Sequence, residues 1–177
     1  MQNPLIFLKA KALAYRNRAL RKQKQLIYKR NLLHFNQIRT IGIISTCSES
    51  LAELTYQLEK MGKKVAVLLL DETQQRSETQ NLSYQAVRFD GSVDTTKIEE
   101  FINYPFDILY CLNEQSYSPL QEYLLLKSPA RCRIGRYQLG KEYLGEILIA
   151  TTEKPLDLAR HGLTFLQNQE VRAEVCV

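Results

Sequence analysis

The chain has 177 residues, 45% of them hydrophobic, enough for one domain with a normal core plus an extension. No apolar run approaches the ~20 residues of a membrane-spanning helix. Cys47, Cys111, Cys132 and Cys176 form neither a CxxC pair nor a Cys/His cluster, which argues against a zinc site and for free thiols in a reducing cytoplasm. The formal charge of +5 is a sum of two unlike parts: residues 1–39 hold ten of the 24 basic side chains and no Asp or Glu, whereas residues 40–177 hold the other 14 against all 19 acids.

The basic segment contains Lys9, Lys11, Arg16, Arg18, Arg21, Lys22, Lys24, Lys29, Arg30 and Arg39. Between Leu5 and Phe35 it has neither Gly nor Pro, and good helix formers dominate. Pro4 suits a first helical turn, where its missing N–H costs nothing. The expectation is one long basic helix, roughly 45 Å at about 1.5 Å per residue. Ile6, Leu13, Leu20 and Ile27 recur every seventh position as a thin apolar stripe. Lys9 and Arg16 fall beside this stripe, Lys24 nearly on it, and Lys11, Arg18, Lys22 and Lys29 across from it.

Charge on most sides fits neither a membrane-surface helix, which keeps one broad face clean, nor a coiled coil, which needs a second apolar seam. It fits phosphates on several sides, as inside folded RNA, with Tyr15, Tyr28 and His34 interleaved to stack on unpaired bases. The alternatives are a solvated helix whose stripe docks on its own domain, a partly disordered basic tail, or attachment to an anionic membrane. The opening LIFL is too short for a signal-peptide core and no small-residue cleavage site follows, so a cytoplasmic location is expected.

After Arg39 the texture changes, and a domain boundary is expected near residues 36–40. Thr40–Thr46 is a β-branched run of strand length. Ser48 is placed to cap a helix over Glu49–Met61, closed by Gly62. Lys63–Asp71 is a near-continuous apolar run, as in a strand buried on both faces. Glu72–Leu82 is polar and reads as a loop, and Tyr84–Phe89 as a weak third strand. Val93–Tyr104 reads as a helix opened by Asp94 or Thr95. Strands are then expected at Phe106–Asn113, Cys132–Tyr137 and Glu146–Thr151, and helices at Pro119–Lys127, capped by Ser118, and Pro155–Asn168. The alternation predicts a single three-layer, Rossmann-like α/β domain with a mostly parallel sheet, preceded by the basic helix.

Ligands of such sheets sit beyond the carboxyl ends of the strands. The first turn there, Ser45–Ser50, has no glycine to let backbone N–H groups approach a phosphate, and Glu49 adds negative charge. Thr46 and Ser48 could bind a small anion; Asp71, Asn113 and Glu114 are the other polar groups at strand ends. His34 and His161 have no nucleophile or carboxylate at catalytic spacing. No catalytic residue, metal site or cofactor is therefore assigned. Lys127–Tyr143 forms a second basic patch in the otherwise acidic body, with Arg131, Arg133 and Arg136 as further candidate RNA contacts; alternating strand charges paired with the domain's own carboxylates are the competing explanation.

The segments FDILYCLN and SPLQEYLLLKSPARCRIGRY resemble the amino-terminal domain of bacterial heptosyltransferase-like glycosyltransferases, where a buried strand, a helix and an A-x-x-x-I-G strand follow in that order. The whole chain, through IGI, GKKV, FDILYCLN and CRIGRY after a Lys/Arg-rich helix, is similar to an uncharacterised family of small Bacteroidota proteins. The second resemblance implies a Rossmann-like fold and carries over no catalytic residues. The first implies a scaffold, because those enzymes hold the sugar nucleotide with a second domain that 177 residues do not accommodate. The expectation is thus a non-catalytic RNA-binding protein on ribosomal RNA or a ribosomal particle, with ribosomal or assembly proteins as further partners. Lys9, Lys11, Arg16, Arg18, Arg21, Lys22, Lys24, Lys29 and Arg30 supply the phosphate contacts, and Tyr15 and Tyr28 the stacking. A small sugar- or nucleotide-binding enzyme, or a protein–protein adaptor whose helix docks an acidic partner, are the alternatives.

Overall fold

In the computed structural model, residues 4–24, 33–47, 51–71, 81–113, 116–150 and 154–174 are described. Six strands form one sheet in the order β3-β2-β1-β4-β5-β6, with every pairing parallel. They are β1 (Thr40–Ser45), β2 (Lys64–Asp71), β3 (Asn81–Ser83), β4 (Ile108–Leu112), β5 (Cys132–Arg136) and β6 (Ile147–Ile149). The helices are α1 (Pro4–Lys24), α2 (Leu51–Lys60), α3 (Glu99–Asn103), α4 (Pro119–Lys127) and α5 (Pro155–Glu174). This is the doubly wound order, with its switch point between β1 and β4.

The central strands read as continuous apolar runs because both faces are covered: every residue of β4 is buried. On one face Ile41, Ile43, Ile108, Tyr110 and Ile134 pack with Leu54 and Leu58 of α2 and with Leu158, Ala159 and Leu163 of α5. On the other face Ile44, Leu68, Leu109 and Cys111 pack with Leu120 and Leu124 of α4 and Ile102 of α3. Ser118 caps α4 in a complete capping box with Gln121, and Gly62 closes α2 at φ +75°.

Four boundaries differ from the sequence reading. The basic helix does not run unbroken to Phe35: His34 is extended (φ −64°, ψ 144°) and Phe35–Gln37 is a separate 3₁₀ turn. The third strand is Asn81–Ser83, whereas Tyr84–Ala86 turns as a 3₁₀ helix capped by the Ser83 hydroxyl. The helix expected over Val93–Tyr104 shrinks to a 3₁₀ turn, Thr96–Ile98, and the five residues of α3. Val93 is bridged to Val87, and the Asp94 carboxylate accepts from the Thr96 N–H and hydroxyl, which holds this stretch out of the helix until Thr96. Finally, α5 continues past Asn168 to Glu174.

The largest departure concerns α1, which is not an arm separate from the body. Leu13 is 0% exposed and belongs to the same apolar cluster as the α4 face of the sheet, with Ile6, Ala10 and Leu20 packed against it. Asn17, also buried, donates from Nδ2 to the Pro119 carbonyl at 2.8 Å. Gly91 (φ +77°) lies so close that an added Cβ would stand 2.5 Å from the Ala12 carbonyl oxygen. The stretch just before β1 is tied down as well: Ile38 is buried, and Lys63 Nζ donates to the carbonyls of Phe35 (3.0 Å) and Ile38 (2.8 Å). The boundary near residue 39 is a change of composition, and the core runs across it.

Candidate nucleic-acid interface

Docking of α1 decides which of its cations face out. The inward stripe is Ile6, Ala10, Leu13, Asn17 and Leu20, spaced alternately four and three, the geometry of one helical face. The helix crosses α4 between the segment that follows β3 and the segment between β5 and β6. At one end Lys9 Nζ donates to the Tyr84 carbonyl (3.2 Å) and lies over the Phe89 ring (5.5 Å). At the other, the Arg21 guanidinium lies 3.9 Å over the Tyr143 ring. Arg16 sits near Asp90, whose carboxyl is held below its ordinary range chiefly by hydrogen bonds from Ser92, with Arg16 adding to them. Arg21 acts in the same direction on Glu142, behind backbone N–H donors.

These flanking cations lean toward the body. The opposite face carries Lys11, Arg18 and Lys22, all exposed, and no described carboxylate comes within 4 Å of any of them. Lys11 Nζ lies 4.4 Å over the ring of Phe7, itself half exposed. Tyr15 is 76% exposed and Leu8 55%. The exposure of Phe7 and Leu8 was hidden in the sequence, because their inward or outward sense depends on where the helix docks. Lys29, Arg30 and Tyr28 lie outside the described residues, as does the side chain of Lys24.

The three arginines of the second basic patch have different surroundings. Arg131 is exposed, with a long contact of 3.8 Å to Asp107. Arg136 ends β5 half-buried, its carbonyl accepting from the Tyr117 hydroxyl. Arg133 is buried and does not belong among the RNA contacts. Its guanidinium grips Glu146 through Nε (3.2 Å) and Nη2 (2.8 Å) and also donates to the carbonyls of Leu125 and Tyr143. The reason is the parallel strand itself: β5 is covered on both faces, so an arginine at its second residue points into the protein and needs an internal carboxylate. Nearby, Glu122 of α4 accepts from Lys141 Nζ (2.5 Å) and the Tyr143 hydroxyl, and burial followed by that carboxylate pushes the Tyr143 phenol above its ordinary value. The network joins α4 to the loop on which Arg21 rests.

At the carboxyl ends of the strands, the Ser45 hydroxyl accepts from Cys47 N–H (3.1 Å) and donates to the Cys47 carbonyl (2.9 Å). Thr46 is exposed, while Asp71 and Asn113 are buried at the ends of β2 and β4. Ser48, Glu49 and Glu114 lie outside the described residues. A groove of about 670 Å³ opens at the other end of the sheet, between Lys64–Leu68 on the edge of β2 and Thr96–Phe101, with Thr40, Tyr104 and Phe106 at its margin. None of Thr46, Asp71 and Asn113 lines it. No described helix is long and apolar enough to cross a membrane.

Fold and surface together define a Rossmann-like α/β domain carrying a basic helix docked on its outer layer. The chain belongs to a family of unknown function (DUF6913), whose model matches residues 9–164. That span takes in most of α1. Comparison with curated proteins and with solved structures returns no match.

Proposed function

We propose that this is a non-catalytic RNA-binding protein that attaches to ribosomal RNA or a ribosomal particle through the outward face of α1. One observation carries the reading: Lys11, Arg18 and Lys22 project from a helix fixed by its opposite side, with no described carboxylate in ion-pair reach. Fixing a helix before binding removes part of the ordering cost of phosphate contact, and each neutralised phosphate releases condensed counterions. Arg16 and Arg21 extend the positive field along both flanks. The α/β domain, which resembles the amino-terminal half of glycosyltransferases, serves on this reading as a scaffold. Contacts to phosphate fix position without selecting sequence, which suits an abundant structured RNA such as that of the ribosome.

The test is density-gradient fractionation of cell lysate with and without ribonuclease, for the natural chain and for Lys11→Gln/Arg18→Gln/Lys22→Gln. Co-sedimentation with ribosomal particles, lost on digestion and in the triple variant, is the expected result. A protein that stays at the top of the gradient, or one whose co-sedimentation survives complete digestion, contradicts the proposal; the second outcome identifies a protein partner instead.

A further inference from the structure

Within the outward face, the order of side chains narrows the kind of RNA. Leu8, Lys11, Tyr15, Arg18 and Lys22 are spaced three, four, three and four, so they form a single stripe along the solvent side of α1. Along the stripe an apolar group, a cation, an aromatic ring and two further cations follow in turn, and the central ring is left 76% exposed. Along the helix axis Lys11 lies about 6 Å before Tyr15 and Arg18 about 4.5 Å after it. A nucleotide has a phosphate on each side of its base. A ring with one cation on either side therefore matches one unpaired nucleotide: base on the phenol face, flanking phosphates on Lys11 and Arg18. Lys22, one turn further, meets the next phosphate.

A duplex offers no such fit, because neighbouring pairs cover the faces of its bases. Resting on the RNA reading above, we infer that the stripe is a stacking platform for single-stranded or unpaired nucleotides, with Tyr15 as the residue that contacts the base and Lys11 and Arg18 as its phosphate clamps.

The experiment measures fluorescence anisotropy of a 12-nucleotide single-stranded RNA and of a blunt duplex of the same sequence, each titrated with the full chain. Expected are at least tenfold tighter binding of the single strand and a loss of about 5- to 150-fold on that strand for Tyr15→Ala. Tyr15→Phe retains affinity. Tyr15→Ala leaves the salt slope unchanged, because it removes no charge, whereas Lys11→Gln lowers it by about 0.7. Tyr15 is exposed, so neither substitution threatens folding; a melting curve of each variant checks this. Equal binding of single strand and duplex, with Tyr15→Ala indistinguishable from the natural chain, overturns the platform but leaves RNA binding standing. Failure of the natural chain to bind either RNA overturns both.

Discussion

Replacing Leu13 by alanine removes the one α1 side chain that is wholly apolar and 0% exposed. Truncating a fully buried leucine costs about 2.7–5 kcal/mol, the range reflecting how far the site can collapse. Leu13 lies between a helix and the layer beneath it, where a small shift of α1 can close part of the void, so the lower half of that range applies. For a chain of this size each kcal/mol moves the melting temperature by about 2–4 °C; Leu13→Ala should therefore melt roughly 5–15 °C below the natural chain. The control is Leu8→Ala on the same helix, 55% exposed, where a change within about 0.5 kcal/mol is expected. Urea unfolding followed by circular dichroism measures both. If Leu13→Ala costs no more than Leu8→Ala, α1 does not share the core in solution, and the docked face that sorts its cations into inward and outward does not exist.

Gly91→Ala should destabilise by more than about 1 kcal/mol, since it combines a left-handed backbone with a Cβ directed at the Ala12 carbonyl, and the same unfolding assay reads it. Glu146→Ala strands the buried Arg133 guanidinium and should lower stability by about 3–5 kcal/mol; a near-neutral result would mean that Arg133 reaches water after all, and with it the surface. For Asp107, burial alone would raise the carboxyl, but hydrogen bonds from Arg39 N–H (2.9 Å), Thr40 N–H (3.0 Å) and the Thr40 hydroxyl, with Arg131 behind them, hold it below its ordinary value of 3.8. A depressed folded pKa gives stability that is complete above the unfolded value and lost as pH falls through the folded one. Asp107→Asn should accordingly be less stable than the natural chain at pH 6, and the gap should narrow as pH falls below about 4.

The sheet was legible in the sequence where burial is complete. ILYCL and TIGIIS are apolar runs of strand length, and their alternation with helices predicts a mostly parallel sheet. The edge was not: β3 is three residues, Asn81–Ser83, paired only to the end of β2, and so short a strand leaves little hydrophobic pattern. The docking of α1 was half visible. The stripe through Ile6, Leu13 and Leu20 shows at once, but its companions are Ala10 and Asn17, small and polar. Asn17 belongs inside only because the Pro119 carbonyl, 102 residues away, accepts its amide hydrogen. For the same reason ten basic side chains could be counted from the sequence but not sorted. Which of them face out is a property of the packed helix, and Arg133 reads as a surface charge until Glu146 is seen beside it.

The measurement that bears most directly on the central claim is the slope of log affinity against log salt for a single-stranded RNA, compared between the natural chain and Lys11→Gln/Arg18→Gln/Lys22→Gln. Three phosphate contacts on a single strand correspond to a slope contribution of about −2. The triple variant should lose that amount, keeping its melting temperature within a few degrees. A slope that is the same in both proteins would contradict the account.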